Sequence, residues 1–160
     1  MEELSRAGEQ ALESQPLSAL LEARLAFLSE GEAVLEVPIR SELLQQNGFV
    51  HGGVINYLVD NALTFAGGSV LGPAVLTSEY KINYLRPASG ETLAVQAAVV
   101  HAGGRQAVCH CDVFAVGSAA ARSAVTVCTP TFAWDVILAR PWFSHPSAAL
   151  SRFATLVTCL

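Results

Sequence analysis

Residues 49–67 read Phe-Val-His-Gly-Gly-Val-Ile-Asn-Tyr-Leu-Val-Asp-Asn-Ala-Leu-Thr-Phe-Ala-Gly, and their spacing decides the fold. Two glycines after a histidine open the stretch, and a helical period follows. Val54, Ile55, Leu58, Val59, Ala62, Leu63 and Ala66 recur at three- and four-residue steps, as a core-facing helix requires. Asn56, Asp60 and Thr64 stand at successive i+4 positions and so share one polar face. A carboxylate in the middle of so apolar a helix is the first functional lead.

Working outward, residues 2–21 read as helical with a break at Pro16. Residues 24–28 begin to alternate, Gly31 marks a turn, and residues 33–39 alternate again. Val34, Glu36 and Pro38 fall on one face and Leu35, Val37 and Ile39 on the other, which is a hairpin pattern. Residues 40–50 form a polar loop holding Gln45, Gln46, Asn47 and Gly48. The long helix has two candidate stops, Gly67-Gly68 and Gly72-Pro73. Strand-sized segments follow at 75–85, 92–101, 105–116 and 121–134, broken by Arg86-Pro87, Gly103-Gly104 and Gly117-Ser118. Short breaks of that kind imply antiparallel hairpins, here a four-stranded meander. One hairpin, one long helix and a meander place the chain in the α+β class. Residues 135–160, with Pro141 and Pro146, have no evident place in that sheet.

A chain of 160 residues suits one domain with a sizeable core. Charged residues make up 14% of it, against about 25% in typical soluble domains. A surface with so few charges is expected to hide part of itself in a subunit interface. A net charge of −5 argues against a nucleic-acid partner, which needs a basic face. No apolar run approaches the roughly 20 residues that cross a bilayer, so no membrane partner is expected. Residues 1–10 are acidic and polar, unlike a secretory signal. Cys109, Cys111, Cys128 and Cys159 contain no Cys-x-x-Cys pair and read as small core residues, reduced thiols in a cytoplasmic protein. His101, His110 and His145 share no ligand spacing, so no metal is expected. There is no Gly-x-Ser-x-Gly elbow, glycine-rich phosphate loop or dinucleotide fingerprint.

This order of elements, together with Gln45, the His51-Gly52-Gly53 turn, Asp60 and the segment Tyr80-Lys81-Ile82-Asn83-Tyr84-Leu85-Arg86-Pro87, resembles the hotdog fold. In that fold a curved antiparallel sheet wraps one long central helix. The likeness is nearest to the phenylacetate-degradation (PaaI-like) acyl-CoA thioesterases, relatives of one class of 4-hydroxybenzoyl-CoA thioesterase. It spans residues 17–134, leaving 1–16 as an N-terminal helical segment and 135–160 as an extension of unassigned role.

The resemblance implies hydrolysis of an aromatic or medium-chain acyl-CoA, with coenzyme A present as part of the substrate and no further cofactor. Gly52 would supply a backbone N–H that polarises the thioester carbonyl, beside His51 and Gly53. Asp60 matches the family's acidic residue, nucleophile or general base for water. Gln45 matches an Asn or Gln that orients the thioester or water. Thr64, or alternatively Thr77 or Ser78, would assist the water. Coenzyme A would meet Arg86-Pro87-Ala88 and the hairpin tip Gly103-Gly104-Arg105, with arginine as the phosphate partner. The acidic residue works across a dimer interface against the other subunit's helix N-terminus, in a homodimer or a tetramer of paired dimers. Candidates for the acyl pocket are Phe49, Tyr57, Leu71 and Tyr80.

Each residue also has a plainer role. His51 could end the loop by bonding a backbone carbonyl, and Asp60 could be a carboxylate satisfied by a neighbouring N–H. A non-catalytic acyl-CoA-binding domain shares the fold and ligand. A hotdog hydratase pairs Asp and His in a short motif, which the nine-residue step from His51 to Asp60 fits less well.

Overall fold

The computed structural model describes residues 2–117 and the backbone of Arg122–Cys128 and Val136–Ala139. The chain opens with α1 (Glu2–Glu13) and α2 (Pro16–Leu21). Proline opens α2, where its missing N–H costs nothing. The hairpin follows as β1 (Arg24–Ser29) and β2 (Glu32–Pro38), turning through Gly31 at φ 81. Ala33, Leu35 and Val37 of β2 are buried, as their alternation requires.

The long helix is α3 (Gly52–Leu71), and it ends at Gly72, whose φ of 99 favours glycine. Gly67 and Gly68, the other candidate stop, lie buried inside the helix. Leu58, Val59, Ala62, Leu63 and Ala66 are fully buried against β2, β5 and β6. Burying each leucine contributes roughly 1.5–3 kcal/mol. The helix thus occupies the hollow of the sheet, the hotdog arrangement.

The sheet departs from a simple meander. Residues 75–85 split into β3 (Leu76–Glu79) and β4 (Asn83–Tyr84), and the later strands are β5 (Thr92–Ala102), β6 (Gln106–Val116), β7 (Arg122–Cys128) and β8 (Val136–Ala139). The order is β1-β2-β5-β6-β7-β4, all antiparallel, with β8 pairing both β3 and β6. β4 therefore lies beside β7, and β5 beside β2. The reason is the central helix. Leaving α3 at its C-terminal end, the chain returns along the helix to its N-terminal end before the sheet can continue. Thr77 meets Thr64, Tyr80 meets the Asn56 carbonyl and Tyr84 meets the Gly52 carbonyl, in that order. The 86–91 loop then crosses under the helix start to deliver β5 next to β2.

That loop is tied down by its backbone. The Val50 N–H donates to Ala88 O, the Ile39 N–H to Glu91 O, and the Glu91 N–H to Val116 O, at 2.7–3.0 Å. Gly90 has φ 150, and a Cβ there would stand 2.7 Å from Val116 O. The residues of the expected tail that form β8 do join the sheet, whereas the rest of 135–160 and the 129–134 end of the last expected strand lie outside the described residues. No helix among the described residues is long and apolar enough to cross a membrane.

Candidate active site

The start of α3 is built by the loop before it. Leu44 and Val50 bridge, the Gln45 N–H donates to Phe49 O at 2.8 Å, and Gly48 closes the turn at φ 79. This small hairpin holds Gln45 beside the helix N-terminus. The His51 N–H then donates to Leu43 O, fixing the entry to the helix.

A helix start leaves its first N–H groups without intrahelical partners, so each can be accounted for. The Gly53 N–H donates to His51 Nδ1 at 2.9 Å, and the Val54 N–H to His51 O at 3.0 Å. The Gly52 N–H has no acceptor among the described residues. His51 therefore bonds a backbone N–H rather than a carbonyl, and in the neutral ring this places the proton on Nε2. The cap engages Gly53 and leaves Gly52 as the open donor at the positive end of the helix dipole. His51→Ala should cost about 1 kcal/mol of stability, as loss of other helix caps does, read as a lower denaturation midpoint.

Gly52 lines an open groove of ≈ 420 Å³ together with Gln45, Tyr84, Arg86, Pro87 and Ala88. Four residues singled out in the sequence thus meet Gly52 in one place. Tyr84 was not among them. Its hydroxyl donates to Gly52 O at 3.2 Å, and its ring stands against the Gly52 α-carbon. It stands in the Tyr80–Pro87 segment that carries the resemblance, but nothing in that segment says which partner the tyrosine meets.

Asp60 and Thr64 do not line this groove. They continue the same helix stripe, with Asp60 about 12 Å from Gly52 at 1.5 Å rise per residue. Both are half-buried. Thr64 Oγ1 and Thr77 Oγ1 lie 3.1 Å apart, so two of the three alternative water-assisting residues meet each other one turn from Asp60. Ser78 follows Thr77 in β3. Of the acyl-pocket candidates, Leu71 is 3% exposed in the core, and Tyr57 hydrogen-bonds Ser18 of α2. Tyr80 lies along the polar stripe, and Phe49 is exposed at the tip of the Gln45 hairpin.

The third group, Gly103, Gly104 and Arg105, forms the exposed tip between β5 and β6. It lies the full length of β5 from the Arg86 turn, about 33 Å at 3.3 Å per residue. One chain therefore carries an anion-attracting donor end, an acid in mid-helix and a distant basic tip. Among the described residues no cluster of His, Cys, Asp and Glu could hold a metal ion.

Comparison with known proteins bears on the family and the fold. Residues 47–121 match the thioesterase superfamily model. A protein of Archaeoglobus fulgidus that carries an esterase name is 32% identical over 105 residues, covering 65% of this chain and 68% of its own. A crystal structure of a thioesterase family protein from Silicibacter pomeroyi superposes with a TM-score of 0.76 at 30% identity, covering 86% of this chain and 98% of that one. The PaaI protein of the E. coli phenylacetic acid degradation operon superposes at 0.69 with 24% identity over 86% and 96%, a likeness of fold.

Proposed function

Since the chain belongs to the thioesterase superfamily, we propose that it hydrolyses an acyl-CoA to the free acid and coenzyme A at a site completed by a second copy of the chain. The observation that carries this reading is the unengaged Gly52 N–H opening on a groove with Gln45 and Arg86, while Asp60 sits too far along the same helix to reach the same carbonyl. Two antiparallel copies would bring Gly52 of one chain opposite Asp60 of the other, and the Arg105 tip of one toward the Arg86 turn of the other.

In that site the Gly52 N–H meets the charge that develops on the thioester oxygen as the carbon becomes tetrahedral. Asp60 delivers the attack, either directly or by taking a proton from water. Gln45 orients the thioester, and Thr64 with Thr77 holds the water. Arg86 and Arg105 meet coenzyme A phosphates. The collapse of the tetrahedral species breaks the C–S bond, and the departing thiolate takes up a proton, on the water route the one Asp60 removed. Where Asp60 attacks directly, water then hydrolyses the acyl–Asp60 anhydride to release the acid.

Thiol release from a set of straight-chain and aromatic acyl-CoA esters tests this directly. Saturable release from at least one ester is the expected result. Calorimetric binding of acyl-CoA with no thiol released would instead favour a carrier or sensor. Consumption of an enoyl-CoA without thiol release would favour a hydratase.

A further inference from the structure

A second cavity, of ≈ 20 Å³, lies between α1, α3 and the start of β3, lined by Leu4, Leu28, Phe65, Pro73, Val75 and Thr64 among others. The polar groups at its walls are already engaged. Thr64 pairs with Thr77, while the Ser69 hydroxyl donates to Ala66 O and accepts the Gly31 N–H, both at 2.7 Å. An apolar lining keeps such a space dry, and its volume suits a group about the size of one water or methyl. Thr64 stands one turn beyond Asp60 on the same stripe, with Cβ atoms about 5–6 Å apart. Thr64 thus belongs both to the cavity wall and to the stripe that carries the acid. Its outer wall is α1, which sits so close to β1 that a Cβ on Gly8 would come 2.6 Å from Leu28 Cδ2.

We propose, building on the thioesterase reading above, that this cavity receives the methyl end of the substrate's acyl chain and that Leu4 of α1 is its length stop. The rest of the chain runs beside the Asp60–Thr64 stripe, leaving the Thr64–Thr77 hydroxyl pair to the water. A space of ≈ 20 Å³ takes the methyl that ends a straight aliphatic tail but is too small for an aromatic ring. The substrate class is therefore straight-chain aliphatic acyl-CoA rather than an aromatic one.

The test is kcat/KM across a ladder of straight-chain acyl-CoA esters, beside benzoyl- and phenylacetyl-CoA, for the unmodified protein and two variants. The unmodified protein should favour its best aliphatic ester over both aromatic ones by about tenfold or more, the effect of one misfitting methylene in an apolar pocket. Leu4→Ala should move the optimum to longer chains, with about tenfold gains for the newly accommodated ester, and Leu4→Phe should move it to shorter ones. Leu4 is only partly buried, so both variants should keep the native circular dichroism. An unchanged chain-length profile in both folded variants, or a preference for the aromatic esters, overturns the subsite while leaving the thioesterase reading in place. Absence of thiol release from every ester overturns that reading and the subsite with it.

Discussion

Asp60→Asn should lower kcat for acyl-CoA hydrolysis by about 10³-fold, in the middle of the 10²–10⁴ range that a positioned acid–base group supplies. Asparagine keeps the size and hydrogen-bonding shape of aspartate but can neither attack the thioester nor take a proton from water. The position is half-buried, one helical turn from Asn56 and from Thr64, so the amide can be housed without moving the backbone. The loss should fall on kcat and kcat/KM alike, as expected for a group that acts only in the transition state. Turnover within a few-fold of the unmodified protein, with the fold intact by circular dichroism, would remove Asp60 from the mechanism.

Gly52→Pro should lower kcat by about 10²–10³-fold, the cost of one lost oxyanion donor. Sequence alone makes this substitution look disruptive, because proline breaks helices. The observed backbone says otherwise. Gly52 is the first residue of α3, a position that proline prefers, and His51 before it has φ −63 and ψ 134, the extended conformation that precedes proline readily. An added Cβ would meet the Tyr84 hydroxyl at 3.5 Å, an ordinary contact. The substitution therefore deletes an N–H and little else. Mixing the two inactive variants gives the sharper result. If each site takes Gly52 from one chain and Asp60 from the other, a mixed twofold dimer holds one intact site, and random pairing should recover about a quarter of the original activity. If both groups act within one chain, mixing recovers nothing and the shared site is wrong.

Much of the fold was legible because α3 and β2 obey clean periods. The apolar residues of α3 were found by their spacing, and Ala33, Leu35 and Val37 by alternation. The pairing of β4 with β7 was not legible. Strand patterns report which residues face inward, not which strand lies alongside, and here the neighbour is chosen by the need to run back along a central helix. The helix stop was ambiguous for a related reason. Gly68 and Gly72 look alike in sequence, yet Gly68 makes room for Val75 at close range whereas Gly72 supplies a positive φ. In the site, Gln45, Gly52 and the Arg86 turn were legible as a set because the motif spans them. The role of His51 was half legible: that it ends the loop follows from its place, but which backbone group it bonds depends on a ring orientation. Tyr84 stood in the quoted motif, but its meeting with Gly52 was not legible, since that contact crosses from a strand to a helix far away in the chain.

The backbone ties of the 86–91 loop bear on how this protein can change over evolutionary time. Its position is fixed by main-chain bonds to the ends of β2 and β6 and to the residue before the helix cap, so its exposed side chains, unlike the buried Ala88, are released from the task of holding the loop in place. Arg86 is exposed and, among the described residues, Ala88 is hydrogen-bonded only through its carbonyl, so on the proposed reading replacement at Arg86 would retune affinity for an anionic carrier without shifting the wall. Gly90 is the exception, since any side chain there strikes the Val116 carbonyl. If the proposed site is right, ligand preference can drift at one end of this loop while the other end stays fixed, and a scaffold so divided would acquire new carriers one substitution at a time.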